Sequence, residues 1–188
     1  MDEKRTLFEN KYRVESFRLP NRDYGANGYY YVTIKTKKGN HYFGHINYKK
    51  MILNKLGRIA DKCWQEIPKH YPFVCLDKYV IMPNHIHGII FINKSQNDVN
   101  VETQDFASLQ IQNNTTKQTN KFGPQSQNLG AIIRGLKIGV TKYARSNNIP
   151  FGWHPRYHDR VLRIENDELN IKRRYIKNNP MQWGTHND

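Results

Sequence analysis

Aromatic and β-branched residues crowd the stretch from Tyr29 to Lys35, directly behind Gly28, and this predicts a first strand. His41 to Ile46 predicts a second, shorter one. Leu53, Leu56, Ile59, Ala60, Cys63, Trp64 and Ile67 then recur at spacings of three and four. That periodicity predicts a helix with one buried stripe, with Asn54 placed to cap it and Pro68 to end it. Two further strands are predicted over Phe73 to Met82 and His85 to Ile92, reversed at Pro83-Asn84. From Asn93 to Asn128 no period holds, and fourteen of the 36 residues are Asn or Gln. Such a stretch buries too little apolar surface to offset its ordering entropy, so it reads as a flexible insertion. Order returns at Leu129, where Ile132, Ile133, Leu136, Val140 and Tyr143 line one side of a helix running to about Arg145. Tyr157 to Ile164 predicts another strand. A last helix starts at Asn166 or Asp167, carries Glu168 in its first turn and stops at Pro180. No internal repeat is visible. The order predicts an α+β domain spanning residues 1–188, with helices packed on one antiparallel sheet in a ferredoxin-like arrangement.

Composition narrows the partner. The 188 residues are 37% hydrophobic, enough for a core, and carry a formal charge of +14. That excess points to a polyanionic partner but does not by itself separate DNA, RNA and a membrane surface. No apolar run approaches the roughly 18 residues of a membrane span. The first thirty residues lack the apolar segment of a signal peptide, so a cytoplasmic protein is expected. Cys63 and Cys75 stand twelve apart rather than at metal-ligand spacing and read as reduced thiols.

Two constellations carry chemistry. In Met82-Pro83-Asn84-His85-Ile86-His87-Gly88 the histidines are separated by one residue, so on a strand both project to one face while Ile86 turns to the other. Two imidazoles on one face are able to converge on a single cation; the alternative is a pair of half-exposed histidines on a solvated face. In Lys172-Arg173-Arg174-Tyr175-Ile176-Lys177-Asn178-Asn179-Pro180, Tyr175 and Asn179 stack one helical turn apart. A phenol of ordinary pKa near 10 is a poor nucleophile at neutral pH, and neighbouring cations or a metal correct that. Asn179 offers an amide oxygen, a hard ligand for a divalent ion. The alternative is an amphipathic tyrosine in a basic helix with a helix-end asparagine.

A third feature is electrostatic. Arg134, Lys137, Lys142 and Arg145 share one arc of the Leu129 helix with no acidic residue among them, which suits a phosphate backbone. Lys172 and Arg173 add charge beside Tyr175. Trp153 and Tyr157 are candidates for stacking on unpaired bases or for core packing.

In combination these segments resemble the single-tyrosine HUH transposases, in particular the REP-associated tyrosine transposases and their bacterial relatives. The resemblance rests on Arg18-Leu19-Pro20, Tyr30-Tyr31-Val32-Thr33-Ile34, the histidine segment above, Leu129-Gly130-Ala131-Ile132-Ile133-Arg134, Arg156-Tyr157-His158-Asp159-Arg160 and Tyr175-Ile176-Lys177-Asn178-Asn179-Pro180. It implies that His85 and His87 bind a divalent metal, Mg2+ or Mn2+, with Asn179 able to complete the site. It further implies that Tyr175 attacks single-stranded or hairpin DNA to leave a 5′-phosphotyrosine, the step of DNA transposition. Monomer and homodimer both remain open. Where the family commonly has an aromatic-Trp-Gln triplet, the chain reads Gly152-Trp153-His154, which adds His154 and His158 as further ligand candidates. A non-cleaving protein that binds single-stranded nucleic acid is the alternative from another class.

Overall fold

The computed structural model describes residues 23–94, 127–164 and 166–184. The segment Arg18-Leu19-Pro20 and most of the Asn/Gln-rich segment lie outside them. Strand β1 (Gly28–Lys35) leads through a single 3-10 turn to a hairpin of β2 (Gly44–Asn47) and β3 (Lys50–Leu53). Helices α1 (Lys55–Gln65) and α2 (Ile67–His70) follow, then β4 (Val74–Ile81) and β5 (His85–Ile92). After the undescribed segment come α3 (Leu129–Ser146), β6 (His158–Leu162), α4 (Glu168–Asn178) and a 3-10 turn over Asn179–Gln182.

The main sheet runs β4-β5-β1-β6, every neighbouring pair antiparallel. With α1 after β1 and α3 after β5, the order is the βαββαβ of the ferredoxin-like arrangement, the α+β fold expected. Alternation along the strands sends Tyr30, Val32, Ile34, Ile86, Ile90 and Ile92 to one face, where they bury against α1 and α3. The opposite face carries Tyr31, Ile89 and Leu162, covered by Leu169 and Ile176 of α4. The helices therefore sit on both faces, α1 and α3 on one and α4 on the other.

Local chemistry explains the boundaries. Asn54 Oδ1 accepts from the Gly57 N–H at 2.9 Å and starts α1, as its position predicts. Leu53 belongs to β3 rather than to the helix: β2 and β3 are short and mostly exposed on one side, so their apolar residues are too few to show a period of two. Asn128 caps α3 in the same way, its Oδ1 accepting from Ala131 N–H at 2.9 Å. Asp167 occupies the N-cap position of α4 but makes no capping bond. Its backbone is left-handed and its carboxylate turns instead to the Asn170 side-chain amide at 2.7 Å. Gly88 of β5 is required by packing, since a Cβ there would stand 2.2 Å from Cζ2 of the fully buried Trp64.

Candidate active site

The site forms where β1 and β5 run side by side. Their register places Thr33 opposite His87 and Lys35 opposite His85, so the side chains of both strands at these positions share the α4 face. The two imidazole rings are 4.4 Å apart between centroids, and both residues are buried, at 5% and 6% exposure. Half-exposed histidines on a solvated face are thereby excluded.

Each imidazole is held through Nδ1. His85 Nδ1 lies 2.6 Å from Asn84 Oδ1, an oxygen that only accepts, so Nδ1 is the donor and the ring is held with Nε2 as the nitrogen left to face another partner. His87 Nδ1 lies 2.7 Å from Tyr31 Oη and 2.9 Å from Thr33 Oγ1. Both hydroxyl oxygens have acceptor capacity, and an Nδ1–H donated to either leaves the lone pair of His87 on Nε2. Burial first, and then the nearby His85, Lys172 and Lys35, push the His87 pKa down to about 2. It is a neutral donor at any ordinary pH. Burial likewise pushes the Tyr31 phenol well above its ordinary pKa; the Thr33 hydroxyl offsets part of this and Tyr175 adds to it. Tyr31 therefore acts as a protonated hydroxyl and not as a nucleophile.

Helix α4 brings Tyr175 across this pair. Its ring centroid is 5.4 Å from that of His87 and 6.4 Å from that of Tyr31, meeting both edge-on, and the residue is 38% exposed. Leu169 and Ile176 bury against the sheet and fix the rotation of the helix. Lys172 Nζ lies 4.5 Å from the Tyr31 ring centroid and 5.1 Å from that of Tyr175, within cation–π range of both. Between these groups is an open cleft of about 600 Å³, with Lys35, Asn84 and His158 also on its wall. Among the described residues no carboxylate lines it, which favours a phosphate over any cationic substrate.

The donor set is a mixed nitrogen and oxygen one that a divalent ion accepts. Two buried imidazoles are present, and Asn179 Oδ1 is buried with no hydrogen-bond partner among the described residues. Asn179 does not line the cleft; it opens the 3-10 turn that follows α4. That turn leads to Trp183, whose ring centroid is 6.1 Å from that of His85. No cluster of three or more His, Cys, Asp or Glu able to hold a metal occurs among the described residues. His154 is exposed, and its Nδ1 accepts from the Arg156 N–H at 3.3 Å; His158 lines the cleft from β6, opposite Thr33.

The remaining basic residues divide. Arg134, Lys142 and Arg145 are exposed as expected, but α3 lies on the face of the sheet away from the cleft. Lys137 departs from that stripe. Its Nζ donates to the carbonyls of His154 at 2.8 Å and Arg156 at 3.1 Å, so it ties α3 to the segment entering β6. Arg173 is likewise engaged: its guanidinium forks onto Asp77 of β4, with Nε 3.0 Å from each carboxylate oxygen. Trp153 and Tyr157 pack against the core, and Trp153 Nε1 donates to the Lys137 carbonyl at 3.1 Å.

Tyr31, Thr33 and Asn84 escaped the sequence reading. The signal for the first two was present as the same alternation seen in the histidine pair, Tyr31-Val32-Thr33, but it needs the β1–β5 register to become informative.

No family model matches the chain. A solved structure of a REP-associated tyrosine transposase bound to a REP hairpin aligns with a TM-score of 0.56, covering 91% of this chain and 75% of that one. At 13% identity, that is a likeness of fold. A Haemophilus influenzae protein described as uncharacterized is 38% identical over 169 residues, which is 89% of this chain and 88% of that protein. With that identity held along nearly its whole length, the chain belongs to the same family as the Haemophilus influenzae protein.

Proposed function

We propose that the cleft cleaves and rejoins single-stranded DNA through a covalent bond to Tyr175. Tyr175 Oη bonds to phosphorus as the bond from phosphorus to the 3′ oxygen breaks. The phenol gives up its proton, the departing 3′ oxygen takes one up, and a 5′-phosphotyrosine remains beside a free 3′-OH. One phosphodiester has replaced another, so a second 3′-OH reverses the step without ATP. A divalent ion, Mg2+ or Mn2+, held by His85 and His87 with Asn179 as a further ligand, would polarise the scissile phosphate. Lys172 and Lys35 neutralise phosphate charge on the walls of the cleft, and Tyr31 and Thr33 hold His87 in place. Arg134, Lys142 and Arg145, on the far side of the sheet, contribute long-range attraction for the polyanion.

The observation that carries this reading is the 5.4 Å approach of the Tyr175 ring to the ring of His87, in a cleft lined by cationic groups and no described carboxylate. The fold it shares with a hairpin-bound tyrosine transposase supports the same reading. The test is incubation with single-stranded DNA and Mn2+, followed by denaturing electrophoresis. The chain forms a covalent protein–DNA species, and Tyr175→Phe binds the strand without forming it. An adduct that persists in the Phe variant removes Tyr175 from the role. Salt-sensitive binding with no adduct from the unaltered chain marks a binding protein that does not cut.

A further inference from the structure

We propose that the β2–β3 hairpin is a second contact for the single strand, with Tyr48 stacking on an unpaired base and Lys49 and Lys50 holding the phosphates beside it. The inference rests on the nucleic-acid reading of the cleft and extends it to a surface outside the cleft.

The two residues at the hairpin tip, Tyr48 and Lys49, have φ of 45° and 60°. A two-residue turn with both central residues at positive φ favours Asn-Gly, because a bulky side chain is strained there. The chain instead places at this point a tyrosine that is 92% exposed, followed by two exposed lysines. Nothing in the packing of the hairpin requires them. Strain kept at an exposed tip by an aromatic and two cations marks a contact surface.

The hairpin is firmly based. Gly44, at φ +142°, lets the strands close so tightly that a Cβ would stand 2.0 Å from the Ile52 carbonyl oxygen. Phe43 N–H donates to the Pro83 carbonyl at 3.1 Å, and Asn54 N–H to the Phe43 carbonyl at 3.0 Å. Pro83 directly precedes Asn84 and His85, so the hairpin springs from the end of the sheet that carries the histidines. Strand β3 also packs on the 3-10 turn after α4. Four residues of strand reach about 14 Å from that base.

Charge selects the occupant. From Tyr24 to Ala60 the chain has no Asp or Glu, while Lys35, Lys37, Lys38, Lys49, Lys50, Lys55 and Arg58 fall within that span. An aromatic face among cations fits a strand whose bases are unstacked.

The test replaces the tip by the residues its backbone favours, Tyr48→Asn with Lys49→Gly, and measures affinity for a fluorescent single-stranded oligonucleotide without divalent ions. Affinity falls about tenfold, while the thermal midpoint stays level or rises as the turn strain is relieved. The dependence of log affinity on log salt becomes shallower by about 0.7, one phosphate contact. Tyr48→Phe, which keeps the stacking face, binds within twofold of the unaltered chain. Equal affinity of the Asn-Gly variant and the unaltered chain overturns the assignment, as does a loss confined to duplex DNA or to anionic vesicles. The covalent Tyr175 product is scored separately, so failure of the hairpin and failure of the cleavage assignment are distinguishable.

Discussion

Lys172 and Tyr175 stand one turn apart on α4, both on the wall of the cleft, with the ammonium 5.1 Å from the centre of the phenol ring. Burial, and then the charge of Arg160, hold the Lys172 pKa below the usual lysine range, with Glu168 offsetting part of this. A fixed cation beside a reacting oxygen stabilises the negative charge that develops there, an effect worth about 10²- to 10³-fold in rate. Lys172→Met keeps the stem that packs on the rings and removes the charge. It is expected to slow adduct formation about 100-fold while weakening strand binding less than tenfold, read by single-turnover kinetics beside equilibrium binding. A variant that loses rate and affinity in equal measure shows Lys172 to be a binding group alone.

The contact between Thr33 and His87 makes a second prediction. Groups that bond the far nitrogen of a liganding histidine fix its ring and tautomer, and removing one lowers metal affinity about 10- to 100-fold. Thr33→Val conserves shape and deletes the hydroxyl 2.9 Å from His87 Nδ1. It is expected to weaken Mn2+ binding at least tenfold by calorimetric titration, whereas His85→Ala abolishes detectable binding. Both variants stay folded by circular dichroism, since the core against α1 and α3 lies on the other face. Unfolding of His85→Ala at ordinary temperature would make that histidine structural.

How far the sequence carried these conclusions depended on the range of the interaction involved. The histidine pair, the α4 tyrosine and the cap Asn54 are encoded within a few residues, where alternation, helical spacing and side-chain chemistry are readable. The ferredoxin-like order followed from the same local signals. Long-range partners were not readable in this way. Lys137 looked like one of four phosphate contacts, and only the return of the chain past His154 and Arg156 gives its ammonium two carbonyls to bond. Arg173 looked like a phosphate contact until β4 placed Asp77 against it, 96 residues away in sequence. Strand β3 was hidden because Leu53 satisfies a helical period as well as a strand.

The Asp77–Arg173 pair predicts a dependence of stability on pH. Burial raises the Asp77 pKa, but the Arg173 bonds, the Lys78 N–H and their charges more than offset it, so the carboxyl titrates below its usual range. A carboxyl with a lower pKa in the folded than in the unfolded state stabilises the fold fully above the unfolded value, near 3.9, and loses that contribution as pH falls through the folded one. The pair is partly exposed, so no more than about 1 kcal/mol is expected. Urea unfolding at pH 7 should place Asp77→Asn below the unaltered chain by that amount, and the gap should narrow below about pH 4. A gap independent of pH assigns the loss to packing instead.

Gly88 couples the core to the site although it has no side chain in the cleft. It follows His87 on β5 and faces α1, where a Cβ would stand 2.2 Å from Trp64 Cζ2 and 2.4 Å from Cη2. Trp64 is fully buried and its ring is stacked on Tyr79, centroids 5.5 Å apart, so it has nowhere to retreat. In Gly88→Ala the strand itself must move away from α1, which costs about 1–3 kcal/mol, as overpacking does. The displacement shifts His87 relative to His85 and Tyr175, and Mn2+ affinity and adduct yield should fall together although every polar group is retained. Urea unfolding and calorimetric titration of the same sample read both effects. An Ala variant of unaltered stability, or one that loses stability but binds Mn2+ as before, would show that β5 absorbs the methyl without carrying the strain to His87.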